Sequence, residues 1–170
     1  MAAPPPVQPA SIDIPQIGAH SSLIPIGINP KTKELAEPDV THPQQAAYYC
    51  QTDVLPATSC KSGVVPGQAG PSIIIGHVDG SVVHGAHQEG IFFHLHELRV
   101  GDKVSVTRVD GVVLNYTVYR LLQKPKPQFP TQEVYGYTPT SELRLITCSG
   151  QFIGGQFGYA DNTIVFARPA

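Results

Sequence analysis

Cys148 and His77 are the two side chains whose type and setting best support chemistry in this 170-residue chain. Cys148 ends the strand-like run Leu143-Arg144-Leu145-Ile146-Thr147 and is followed by Ser149-Gly150 and a glycine-rich stretch that continues to Gly158. Glycines let a ligand approach the backbone closely, so a cysteine here is presented at the rim of a sheet. A lone cysteine is otherwise a small buried hydrophobe. A thiol becomes a useful nucleophile only beside a cation or a base. His77 is the matching candidate. Ser72-Ile73-Ile74-Ile75 reads as a buried strand bounded by Gly70-Pro71, and Gly76-His77 closes it just before a loop. The other reading of His77 is an ordinary loop histidine, one of 7 in the chain. His84, His87, His94 and His96 follow, but no two stand at a recognised metal-site spacing with a third ligand in place, so no metal is expected.

The other two cysteines, Cys50 and Cys60, enclose nine residues from Gln51 to Ser59. Pairing them leaves Cys148 as a free thiol and predicts an oxidising, extracytoplasmic setting. In the chain-entropy picture so short a loop contributes ~3 kcal/mol or less. The alternative is a cytosolic protein with all thiols reduced. Neither cysteine belongs to a C-x-x-C pair, which argues against zinc.

These residues need elements to hold them. The chain carries 16 glycines and 17 prolines with β-branched runs between them, which favours many short strands over a helix bundle. Residues 1–11 read as a disordered Ala/Pro-rich lead-in. The Met1-Ala2-Ala3-Pro4 start reads as a boundary imposed on a longer chain. Residues 12–170 read as one domain. Strands are expected at Ile12–Ile14, at Leu23–Ile28 (an edge or a short strand, because of Pro25), at Ser72–His77, at Leu143–Cys148 and at Thr163–Ala167. Lys103–Val109 and Val112–Leu121 flank Asp110-Gly111 as a hairpin. A short helix is expected near Gln44–Tyr49, a helical turn near Phe92–Leu98, and loops over 78–90, 124–140 and 149–158. So many strands are accommodated without exposed edges by a closed or nearly closed β-barrel, so the fold class is mostly β. The formal charge of −2 and absence of a basic stripe argue against nucleic acid. No apolar run reaches the ~18 residues of a membrane span, and no signal-peptide core is visible.

Gly76-His77-Val78-Asp79-Gly80 and Arg144-Leu145-Ile146-Thr147-Cys148 together resemble the motifs of the sortase family, and the second is a form of its Thr-Leu-x-Thr-Cys signature. Ile12-Asp13-Ile14-Pro15, Phe129-Pro130-Thr131-Gln132 and Tyr159 with Asp161-Asn162 are similar to the actinobacterial class E/F, in order along nearly the whole chain. The resemblance implies an eight-stranded sortase β-barrel and a cysteine transpeptidase at the outer face of a Gram-positive membrane. It implies cleavage of an LPxTG-like sorting signal after Thr, a thioacyl-enzyme on Cys148, His77 as acid/base, and an amine acceptor such as a peptidoglycan precursor or a pilin lysine. The membrane would be reached only through an N-terminal anchor. Thr147 would contact substrate backbone or serve as an ordinary strand threonine. Asp79 would orient His77 or shape the turn. No cofactor is implied. Some sortases use calcium, but no carboxylate cluster here suits it.

The chain departs from the family at one place. The class carries Tyr-Arg-Asp-Asn, with the arginine steadying the oxyanion or the substrate carbonyl; this chain reads Tyr159-Ala160-Asp161-Asn162. Arg99, Arg108, Arg120, Arg144 and Arg168 are poorly placed to substitute. An engineered arginine-to-alanine change is the favoured explanation, a natural departure the other. Loss of such a donor typically costs ~10²–10³ in rate. Two other cysteine enzyme classes fit less well. An L,D-transpeptidase would carry Ser-His-Gly-Cys, and a papain-like hydrolase an early cysteine at a helix start. The non-enzyme alternative is an extracytoplasmic β-barrel that binds sorting signals without turnover.

Overall fold

The computed structural model describes residues 6–39, 41–83, 86–154 and 158–170, with side chains outside that description at 80–87 and 148–158. Eight strands close a barrel in the order β1 (Pro9–Ile14), β2 (Ala19–Ile26), β3 (Ala46–Tyr49), β4 (Gly70–Ile75), β9 (Ser141–Gly154), β10 (Gly158–Pro169), β8 (Val113–Pro125) and β7 (Lys103–Arg108). β5 (Asp79–Val83) and β6 (Ala86–Glu89) form a separate two-stranded sheet. Two pairs, β2 with β3 and β4 with β9, are parallel, and the other named pairs are antiparallel.

Strand alternation sorts the apolar residues into two layers. Ile12, Ile14, Ile74, Val104, Val106, Tyr116, Leu143, Leu145 and Val165 fill the interior. Ile73, Ile146, Ile164 and Phe166 face outward and are covered by Val134 of the five-residue helix α1 (Thr131–Tyr135). Both faces of β9 are therefore buried where it crosses the barrel. A buried arginine and its half-buried carboxylate partner sit in this outer layer. Arg144, 2 % exposed, donates from Nη1 to Glu142 at 2.8 Å and lies 4.5 Å over the Phe166 ring. Tyr119 donates to the same carboxylate oxygen at 2.5 Å.

Cys50 and Cys60 are joined by a disulfide, with Cα atoms 5.0 Å apart, that anchors the loop after β3. The hairpin at Asp110-Gly111 forms as expected. Gly111 takes φ 88°, which suits glycine, and Arg108 N–H donates to the Val112 carbonyl.

Several expected elements differ. β1 starts at Pro9, inside the expected lead-in, because Gln8 is buried and accepts from Tyr48 Oη at 2.7 Å. Residues 46–49 are a strand, not a helix: the sheet needs a partner between β2 and β4, and this pairing overrides alanine's helix propensity. Pro25 lies within β2, opposite Tyr48, rather than on an edge. The expected loop over 78–90 contains the antiparallel pair β5 and β6, and the glycine-rich stretch after Cys148 continues β9 to Gly154.

Candidate active site

The β4–β9 ladder brings the two chemical candidates together. Ile73 pairs with Arg144, Ile74 with Leu145 and Ile75 with Ile146; Gly76 N–H then donates to the Ile146 carbonyl at 3.2 Å. Two residues beyond Ile75 is His77, and two beyond Ile146 is Cys148. Position 148 follows Ile146 in the alternation of β9, and His77 lies just past the end of β4, the strand paired with β9 at the usual ~4.8 Å spacing. On its other side Cys148 pairs with Asn162 of β10. The Cys148 side chain lies outside the described residues.

Ala160 belongs to the same row. It precedes Asn162 by two residues on β10, and alternate residues share a face. Tyr159 pairs with Phe152 and Asp161 with Ser149, so Gly150 and Gln151 together oppose Ala160. The extra residue is in β9, which leaves the alternation of β10 intact. His77, Cys148 and Ala160 therefore occupy neighbouring positions on three adjacent chain segments.

His77 is half-buried and fixed from several sides. Its ring Nε2 donates to the Pro38 carbonyl at 2.5 Å. Phe92 N–H donates to the His77 carbonyl at 3.0 Å, and Gly90 N–H to that of Val78 at 2.9 Å. A side chain at Gly90 would overlap the His77 carbonyl, and a Cβ at Gly76 would meet Ile91 at 2.5 Å. These two glycines are needed for close approach rather than for unusual backbone angles.

The family model of the Sortase domain matches residues 12–170. The chain belongs to the sortase family. Its fold is similar to that of sortase A from Corynebacterium diphtheriae, at 21% identity and a TM-score of 0.62, over 99% of this chain and 62% of that one. Streptococcus agalactiae sortase C1 gives 13% identity and a TM-score of 0.61, over 96% of this chain and 69% of that one. A Clostridium perfringens sortase D5 transpeptidase gives 16% and 0.61, over 98% and 82%. The chain thus spans about 62% of the length of the diphtherial enzyme. No curated protein matches it.

Within this sortase four of the five arginines are engaged elsewhere. Arg144 is buried with Glu142, Arg108 pairs with Asp110 at 2.5 Å, Arg120 with Glu133 at 2.5 Å, and Arg168 lies 5.0 Å over the Tyr119 ring. The Thr147 side chain is 4 % exposed and belongs to the inward row of Leu143 and Leu145. Its cross-strand partner Thr163 is 3 % exposed, and neither hydroxyl finds a partner among the described residues. Asp79 accepts from Tyr159 Oη at 2.6 Å, which ties β5 to β10 next to Ala160. Sequence reasoning did not find the Pro38 contact. It runs through a backbone carbonyl and leaves no mark on residue types. Among the described residues no group of three or more His, Cys, Asp or Glu could hold a metal ion, and no helix is long and apolar enough to cross a membrane.

Proposed function

We propose that this sortase is a cysteine transpeptidase of the class E/F type, with residues 12–170 as its single catalytic domain. The β4–β9 register, which pairs Ile75 with Ile146 two residues before His77 and Cys148, is the observation that supports the reading. His77 takes the proton of the Cys148 thiol. The thiolate attacks the carbonyl of the Thr in an LPxTG-like sorting signal, forming a C–S bond and an oxyanion. The oxyanion collapses, the Thr–Gly C–N bond breaks, and His77 returns its proton to the leaving glycine amine. An amine, from a peptidoglycan precursor or a pilin lysine, then attacks the thioester and regenerates the thiol. The protein works at the cell surface, held there by an N-terminal anchor, consistent with the Cys50–Cys60 disulfide.

Ala160 stands where the family's arginine is expected, so the oxyanion lacks its cationic donor. We attribute the alanine to an arginine-to-alanine replacement and expect turnover ~10²–10³ below that of the arginine form. The same position favours the second reading, a barrel that binds sorting signals without turning them over. The test is cleavage of a fluorogenic LPxTG-type peptide, with added amine, by the chain itself, by Ala160→Arg, and by Ala160→Arg with Cys148→Ala. Activity only in Ala160→Arg supports the transpeptidase. No activity in any of the three favours the binding barrel.

A further inference from the structure

We propose that the segment leading into β3 positions His77: the Pro38 carbonyl locks the imidazole as its Nε2–H tautomer and leaves Nδ1 as the basic nitrogen. The proposal rests on the reading of His77 as acid/base.

A carbonyl oxygen can only accept, so an Nε2 that stands 2.5 Å from Pro38 O must carry the proton. In the neutral ring the lone pair then lies on Nδ1, because the bond made by one ring nitrogen determines the role of the other. The acceptor is itself well fixed. Pro38 has a restricted φ and also constrains Glu37 before it. Ala36 N–H donates to the Gly27 carbonyl at 2.9 Å. On the far side Asp39 Oδ1 accepts from Thr41 N–H at 2.8 Å and from Thr41 Oγ1 at 2.7 Å. Ile91 N–H donates to the Pro43 carbonyl at 2.8 Å, and Gln44 Nε2 to the Glu89 carbonyl. The stretch from Glu89 to Phe92 therefore grips both the residues after Pro38 and the backbone of His77 and Val78. Ring and acceptor share one frame, which is what a fixed tautomer requires.

The tautomer is read directly from a long-range proton–nitrogen correlation spectrum of the nitrogen-15-labelled chain, at a pH where the ring is neutral. The His77 signals are identified by their loss in His77→Gln. The expected result is a protonated, pyrrole-type Nε2 and a pyridine-type Nδ1. A protonated Nδ1 overturns the proposal. The double variant Asp39→Ala, Thr41→Ala removes the bonds that shape the turn after Pro38 and touches neither His77 nor Cys148. It is expected to shift His77 toward a mixture of tautomers. In the Ala160→Arg background it is expected to lower kcat by ~10-fold or more with KM unchanged, since a fully wrong tautomer costs ~10⁴ in comparable triads. An unmoved tautomer or an unchanged kcat in the double variant overturns the proposal. Failure of Ala160→Arg itself to turn over peptide would instead overturn the functional reading, and the tautomer measurement is independent of it.

Discussion

On the outer face of β9 and β10, Arg144 is a cation held by a carboxylate and an aromatic ring, while Ala160 is the position proposed above for the family's arginine. Arg144 is spent on structure. Its Glu142 partner cannot be lost cheaply, because removing one member of a buried pair strands the other charge, at a typical cost of ~3–5 kcal/mol. Glu142→Leu should lower the urea midpoint accordingly. His77→Ala in the Ala160→Arg background should reduce turnover ~10²–10⁴-fold, the usual worth of a positioned acid/base, with little change in thermal unfolding. Tyr48 gives a pH signature. Burial pushes its phenol from 10.0 up to about 12. The neutral form is thus favoured in the folded barrel. Its contribution is fully present below pH 10.0, the ordinary phenol value, and is lost as pH rises to about 12. Stability against unfolding should fall across that window more steeply for the chain than for Tyr48→Phe, as read from denaturant midpoints at successive pH values. Both candidate positions were legible in the sequence because each ends an apolar run at a glycine-marked boundary. The inward turn of Thr147 was not. With both faces of β9 buried, its hydrophobic pattern does not distinguish inside from outside.

Strands and loops determine how closely the site residues approach one another. The 89–92 stretch fits against His77 only because residue 90 has no side chain. Gly90→Ala must push the His77 carbonyl away, and it should depress turnover of the Ala160→Arg protein strongly while global unfolding changes by much less. Tyr159→Phe removes the 2.6 Å bond to Asp79 that joins β10 to β5. It should cost ~1 kcal/mol of local stability, read as faster hydrogen exchange in β5. Alternation and Asp110-Gly111 identified most barrel strands in advance. The strand at 46–49 and the paired strands β5 and β6 were not visible, since short, alanine-rich or glycine-rich segments take their form from the neighbours they pair with.

For the whole molecule, the interior layer sets stability and the disulfide sets thiol accounting. Leu145→Ala, at a fully buried position, should destabilise by ~2–5 kcal/mol in a denaturant titration. Alkylation of the native chain without reductant should label Cys148 alone, with Cys50 and Cys60 labelled only after reduction and unfolding. β9 has a further consequence. Its odd-numbered residues from Leu143 to Thr147 belong to the barrel interior, while the even-numbered row passes through Ile146 to Cys148. The working residue is thus appended to a stretch committed on both sides to packing, with Leu143, Leu145 and Thr147 inward and Arg144 and Ile146 under the outer layer. A comprehensive substitution scan along 143–148 should therefore divide by position along the strand. Changes from 143 to 147 should register chiefly as lost protein, and changes at 148 as intact protein that no longer reacts. Selection acting on fold and selection acting on chemistry would meet at a single peptide bond, between 147 and 148.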